Sequence, residues 1–111
     1  MLKEKRQILF DYKKVFEALN TQRENHGDTL IPESQIVDVS RKPDDDEFVI
    51  ISLRHPNYEK TQKVKMSEDL FIKGLCLFCV KHDIMFPQSG KKSITLKKGK
   101  VMLNILINGT K

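Results

Sequence analysis

The chain has 111 residues, of which 39% are hydrophobic and 32% charged, and its formal net charge at pH 7 is +5. This length suits one domain and is too short for two independent hydrophobic cores. The longest apolar run is shorter than a membrane-spanning helix, the N-terminus lacks the pattern of a secretory signal, and two cysteines cannot form a disulfide scaffold, so we expect a cytosolic protein without a membrane segment.

The positive charge is concentrated in the C-terminal half. Residues 1–55 carry nine basic and eleven acidic side chains, whereas residues 56–111 carry eleven lysines and four acidic side chains. Most of the cations are lysines, which bind phosphate as point charges, while bidentate reading of bases favours arginine. Any contact with nucleic acid is therefore expected to involve its backbone.

Residues 4–19 predict an amphipathic N-terminal helix. Its apolar side chains recur with the 3.6-residue period of a helix and form one stripe. The stripe consists of Ile8, Leu9, Tyr12, Val15, Phe16 and Leu19. Residues 20–32 contain Asn, Gly, Asp and Pro without periodicity and predict a connecting loop.

Two strands joined by a hairpin turn are predicted next. Alternation of valine with polar residues over 35–40 is typical of a half-exposed strand, and the acidic run 44–47 belongs to the turn. The β-branched and aromatic run over 48–53 is typical of a strand that is covered on both faces. It is expected to be the central strand of the sheet.

A further strand and the second helix follow. Alternation over 61–66 places Lys63 and Lys65 on the solvent face of a strand. Ser67 predicts the N-cap of a helix over 68–83, whose first turn contains two carboxylates that suit the helix dipole. Apolar residues cover nearly its whole circumference, so we expect this helix to lie in the core.

The C-terminal segment predicts a second hairpin. Ile94 and Leu96 alternate with polar residues, Lys98 and Gly99 supply the turn, and residues 101–107 form the last strand. The predicted element order is α-β-β-β-α-β-β. It corresponds to a single α+β domain over 1–111, with a largely antiparallel sheet of about five strands and two helices packed on it.

The cysteine pair is the main candidate for metal or redox chemistry. Cys76 and Cys79 have the C-x-x-C spacing, which His82 extends. Both thiols fall inside a hydrophobic helix, where burial raises a thiol pKa, and no second motif supplies the fourth ligand of a structural zinc. We expect a buried apolar role for both cysteines, with metal binding and redox activity as alternatives; no metal or cofactor is predicted.

Catalytic motifs are not evident in the sequence. No Ser or Cys nucleophile is spaced convincingly from a histidine, and no pair of carboxylates falls on two structured elements. The acidic run 44–47 lacks the spaced oxygen ligands of a calcium loop. The chain is therefore not expected to be an enzyme.

Lysines of the C-terminal half form the leading candidate site. If the strands that carry them are neighbours, they form one patch that neutralises nucleic-acid phosphates with a salt-dependent, weakly sequence-specific affinity. The same lysines would also serve solubility alone. The predicted function is that of a small regulatory domain that binds nucleic acid. The predicted site consists of Lys63, Lys65, Lys91, Lys92, Lys97, Lys98 and Lys100.

The alternative is a protein-interaction or homo-oligomerisation module. Such a module would use the stripe of the N-terminal helix, or an edge strand, to form a homo-oligomer or to bind an acidic protein partner. Its predicted contact residues are Ile8, Tyr12, Val15, Phe16 and Leu19.

Overall fold

The structure is a computed structural model that describes residues 2–25, 35–42, 45–56, 61–85 and 90–109. Residues 1, 26–34, 43–44, 57–60, 86–89 and 110–111 lie outside the described residues. They include parts of the predicted loop 20–32 and of the predicted acidic turn 44–47, whose described residues belong instead to a helix and a strand. The elements are β1 (Leu2–Asp11), α1 (Tyr12–Asn25), β2 (Gln35–Lys42), β3 (Asp45–Arg54), β4 (Gln62–Ser67), α2 (Glu68–Lys81), β5 (Lys91–Lys97) and β6 (Lys100–Gly109). They form one α+β domain with antiparallel strand pairing, as the sequence predicts.

The described strands form two three-stranded sheets in place of the single sheet predicted. The strand order is β1-β6-β5 in the first sheet and β2-β3-β4 in the second. The prediction that residues 48–53 form a central strand is confirmed, because they lie in β3, which is the middle strand of the second sheet. The β5–β6 hairpin turns at Lys98 and Gly99, and Gly99 has φ +76, a left-handed conformation that favours glycine.

The first half of the predicted N-terminal helix is wrong. The sequence predicts one helix over 4–19, whereas residues 2–11 form β1 and the helix covers 12–25. β1 pairs with β6 along its full length. This long-range pairing outweighs a local pattern that also suits a helix, and it raises the number of described strands to six.

Phe10 distinguishes a strand from a helix in this segment. On a helix it would point about 200° away from Ile8, off the apolar stripe. On a strand, Ile8 and Phe10 share one face. Phe10 is 1% exposed, whereas Leu9 is 47% exposed, so Leu9 leaves the predicted stripe and lies on the solvent side of the sheet.

The predicted core helix is confirmed as α2. The Oγ atom of Ser67 accepts a hydrogen bond from the backbone N–H of Leu70 at 3.2 Å, which is the N-cap contact expected from the sequence. Phe71 and Leu75 on this helix are fully buried. The apolar side of α2 that contains these residues packs within the domain, whereas Leu70 and Val80 on the same helix are exposed.

Each helix packs against strands of both sheets. α1 contacts β1 and β6 of the first sheet and β2 of the second, while α2 contacts β5 of the first sheet and β3 and β4 of the second. One hydrophobic core results, in which Val15, Ile51, Phe71 and Leu103 come from four different elements. The outer faces of both sheets point away from this core.

An arginine connects the facing edges of the two sheets. Arg41 on β2 donates from Nη2 to Oε1 of Glu68 at 2.5 Å and to the carbonyl oxygen of Ile94 on β5 at 3.0 Å. Both side chains of this ion pair are partly buried. The contact ties β2, α2 and β5 together.

Tyr12 makes a second connection between the same edges. Its hydroxyl accepts a hydrogen bond from the backbone N–H of Val39 on β2 at 3.3 Å and lies 3.5 Å from the carbonyl oxygen of Lys97 on β5. Side chains therefore bridge β2 and β5 where a continuous sheet would have a backbone ladder.

Candidate nucleic-acid interface

The seven lysines of the predicted site do not share one sheet. Lys63 and Lys65 lie on β4 of the second sheet, and the other five lie on the β5–β6 hairpin of the first. Among the described strands, β4 pairs with β3 and β5 pairs with β6. The condition that the two lysine-bearing strands are neighbours is therefore not met by strand pairing.

Four of the five hairpin lysines point to solvent. Buried Ile94 marks the inner face of β5, and residues an odd number of positions away lie on the outer face. Lys91 and Lys97 therefore lie on the outer face, and Lys97 is directly opposite Lys100. Lys98 lies in the turn between them, and all four side chains are exposed.

Lys92 points to the other side of β5. It shares the face of Ile94 and lines an open groove of about 600 Å³ between α2 and the start of β5. Lys73, Cys76 and Val80 of α2 line the same groove. Lys92 therefore does not belong to the surface that contains the other hairpin lysines.

The register of the first sheet arranges its outer face in rows that cross β5, β6 and β1. Successive rows are two residues apart along the strands, so the first and last rows are about 20 Å apart. We call this surface the lysine face, because lysines occupy both end rows. The rows are Lys97–Lys100–Asp11, Thr95–Met102–Leu9, Ser93–Asn104–Gln7 and Lys91–Leu106–Lys5.

Polar and apolar side chains occupy the centre of the lysine face. The Nε2 atom of Gln7 donates to Oδ1 of Asn104 at 3.0 Å, and Nδ2 of Asn104 donates to Oγ1 of Thr95 at 2.9 Å. These two bonds cross all three strands of the sheet. Leu9 and Leu106 add exposed apolar surface next to them.

The electrostatics of the lysine face are dominated by cations. Lys97 and Lys100 are directly opposite each other, and like charges in this arrangement are destabilising. Asp11, which is opposite Lys100 on β1, is the one acidic residue of the four rows. Its Oδ1 accepts a hydrogen bond from the backbone N–H of Lys14 at 2.8 Å, so Asp11 also caps α1. A phosphate bound at the end row would relieve the repulsion between the two lysines.

Lys5 belongs to the lysine face although it is not in the predicted site. It is opposite Leu106, in the same row as Lys91. The helix predicted over 4–19 places Lys5 on a helix surface, away from the hairpin. The sequence feature that indicates its position is the spacing of Ile8 and Phe10. They are two residues apart, as expected for one face of a strand, and this places Lys5 on the opposite face.

The outer face of the second sheet has a different character. Nζ of Lys65 lies 4.3 Å from the centroid of the Phe48 ring, a cation–π contact. Lys63 is opposite Ser52, which in turn is opposite Asp38 on β2. These two lysines are therefore separate from the lysine face and provide a charge-matched control for it.

The apolar stripe proposed for a partner lies in the core. Val15 and Leu19 are 0% exposed, and Ile8, Tyr12 and Phe16 pack against the core as partly buried residues. The stripe binds the sheets of its own chain, so it is not available as a partner surface in the folded domain. This burial does not affect the other part of the alternative, in which an edge strand binds a partner or a second copy.

The two cysteines are free thiols whose pKa values are raised. Burial and the neighbouring Cys76 raise the pKa of the fully buried Cys79 to about 11. Burial also raises the pKa of Cys76, with Lys92 acting in the opposite direction. Within the described part of the chain, no group of three or more His, Cys, Asp and Glu side chains is arranged to hold a metal ion.

The raised pKa of Cys79 makes stability depend on alkaline pH. Since the unfolded chain releases this proton near the ordinary pKa of 9.0 and the folded chain retains it until about 11, the free energy of unfolding is expected to fall as pH rises across that interval. Well below pH 9.0, where the thiol is protonated in both states, it contributes no slope. Urea unfolding measured across the interval tests this, with Cys79→Ala as the comparison; parallel profiles for the two proteins would contradict it.

Comparison with protein-family models, with curated proteins and with solved structures found no match for this chain. In the described residues, neither helix has the length and hydropathy required to cross a membrane.

Proposed function

We propose that this chain is a small non-catalytic domain that binds the phosphate backbone of nucleic acid through the lysine face. The observation that supports the proposal is the register of the first sheet. It places Lys5, Lys91, Lys97 and Lys100 on one exposed face with a single carboxylate. Lys98 extends the charge at the turn.

The dimensions and chemistry of the face favour a nucleic-acid backbone over a small anion. The two cationic rows lie about 20 Å apart, and duplex DNA carries one negative charge per about 1.7 Å of its axis, so several phosphates lie within reach. The amide groups of Gln7 and Asn104 between the rows suit contacts with sugar and phosphate oxygens. Lysine binds phosphate without base reading, so we propose weak sequence dependence.

The residue types of the lysine face also favour a duplex over a single strand. Recognition of single strands uses aromatic side chains on which bases stack. The four rows contain no aromatic residue.

We further propose a cytosolic location, because two free thiols suit a reducing compartment.

A salt titration tests the proposal. For duplex DNA, the logarithm of the binding constant falls linearly with the logarithm of the salt concentration, with a slope of about −0.9 per neutralised phosphate. Contacts by all five lysines of the face predict a slope between about −4 and −5. Lys97→Gln combined with Lys100→Gln is expected to lower the affinity roughly 10- to 100-fold and to reduce the steepness by about 2.

A matched pair provides the control. Lys63→Gln combined with Lys65→Gln removes the same charge from the second sheet and is expected to leave both affinity and slope nearly unchanged. Equal losses of affinity in the two double variants would show that net charge causes the effect, and would contradict the lysine face as the binding site. Failure of the unmodified chain to bind duplex DNA or RNA at low salt, together with binding to an acidic polypeptide, would replace this function by the acidic-partner alternative.

A further inference from the structure

β1 presents a long strand edge that no described strand covers. It is the terminal strand of the first sheet, ten residues long, and residues 7–10 carry no charge. The other edges differ: Arg41 and Tyr12 connect β2 with β5, and the six-residue β4 carries Lys63 and Lys65. Charged side chains and short length protect an edge, whereas a long edge with an uncharged segment is a template for another strand.

We propose that β1 pairs with β1 of a second copy of this chain, in antiparallel orientation and centred on Ile8. The two first sheets would then form one sheet of six strands, with β1 and its symmetry mate in the middle. In this register Lys5 lies opposite Asp11 of the second copy, and Gln7 lies opposite Leu9. The two-fold axis repeats each pair, so the dimer contains two pairs of opposite charge.

Charge complementarity supports this partner. Lys5 and Asp11 both lie on the outer face of β1, both are exposed, and oppositely charged residues directly across antiparallel strands stabilise the pairing. Residues 7–9 meet one another, with Ile8 opposite Ile8 at the axis, and Phe10 lies opposite Arg6 of the second copy. The charges of Lys5 and Asp11, near the two ends of the edge, thus attract a second copy.

The same register continues every row of the lysine face into the second copy. The row that ends in Asp11 meets the row that ends in Lys5, and the row that ends in Leu9 meets the row that ends in Gln7. Pairing cannot extend past residue 11, because α1 begins at Tyr12 and leaves the sheet. The inference goes beyond the proposed function, since pairing requires no nucleic acid, and the dimer would double the width of the lysine face.

Charge reversal at the two positions tests the proposal without nucleic acid. Sedimentation at low salt is expected to show unmodified protein at twice the 12.9 kDa mass of the chain, in a concentration-dependent equilibrium. Lys5→Glu alone and Asp11→Lys alone each create two like-charge pairs and are expected to weaken dimerisation roughly tenfold or more. An equimolar mixture of the two variants restores both attractive pairs and is expected to form a heterodimer.

Two further variants separate the pairing from net charge and from folding. Lys91→Glu makes the same charge change in the same row but on β5, away from the axis, and is expected to leave dimerisation unchanged. Asp11→Asn keeps the helix cap and removes the charge, so it is expected to weaken the dimer while circular dichroism stays unchanged. Three results would overturn the inference. The unmodified chain could stay monomeric, the mixture of Lys5→Glu and Asp11→Lys could fail to dimerise, or Lys91→Glu could weaken dimerisation as much as Lys5→Glu does.

Discussion

Phe10→Ala is expected to lower the free energy of unfolding by about 3–5 kcal/mol, whereas Leu9→Ala on the adjacent residue is expected to lower it by less than about 1 kcal/mol. The Phe10 ring lies in the core, 5.9 Å from the Phe78 ring between centroids and in an edge-to-face arrangement. Its removal leaves a cavity between β1 and α2. Leu9 points to solvent on the opposite face of β1 and leaves no cavity.

This pair of variants tests whether the N-terminal segment is a strand. If residues 4–19 formed one helix, Leu9 would belong to the buried stripe and Phe10 would lie outside it. Chemical denaturation of both variants under identical conditions gives the order of the two losses. A larger loss for Leu9→Ala than for Phe10→Ala would contradict β1.

Arg41→Met is expected to lower the free energy of unfolding by about 1–3 kcal/mol. The substitution removes the donors to the Glu68 carboxylate and to the Ile94 carbonyl oxygen, while methionine retains much of the packing of the arginine stem. The Glu68 side chain is only 24% exposed, so its carboxylate loses a partner where water replaces it incompletely. The loss comes from the contact that connects the two sheets.

An arginine without these contacts provides the control for this prediction. Arg54→Met changes an exposed residue at the end of β3 and is expected to alter stability by about 0.5 kcal/mol or less. A double-mutant cycle of Arg41→Met with Glu68→Gln measures the coupling of the pair directly. Equal effects of Arg41→Met and Arg54→Met, or a coupling energy of zero, would contradict a stabilising role for this connection.

Elements with local signals could be predicted from the sequence. α2 begins where Ser67 caps it, and its acidic first turn and apolar circumference are properties of adjacent residues. The β5–β6 hairpin is similarly local, because Gly99 supplies the left-handed conformation of its turn. These predictions required no knowledge of distant parts of the chain.

The candidate site could be predicted only in part, because local signals bring together some of its residues and long-range strand pairing the others. Lys91, Lys97 and Lys100 belong to one hairpin, so short-range pairing brings them together. Lys5 reaches the same face only through pairing of the first strand with the last, and that partner is about one hundred residues away. Lys63 and Lys65 are excluded because the chain separates into two sheets.

The sequence by itself therefore determined the α+β class, the core helix, the central strand of the second sheet and the C-terminal hairpin. Their periodicity, caps and turns act between residues a few positions apart. Only the tertiary structure decided that residues 2–11 form a strand, that the strands form two sheets, and which lysines share a face. The physical reason is that a segment compatible with both helix and strand takes the conformation that its distant hydrogen-bonding partner and core neighbours stabilise.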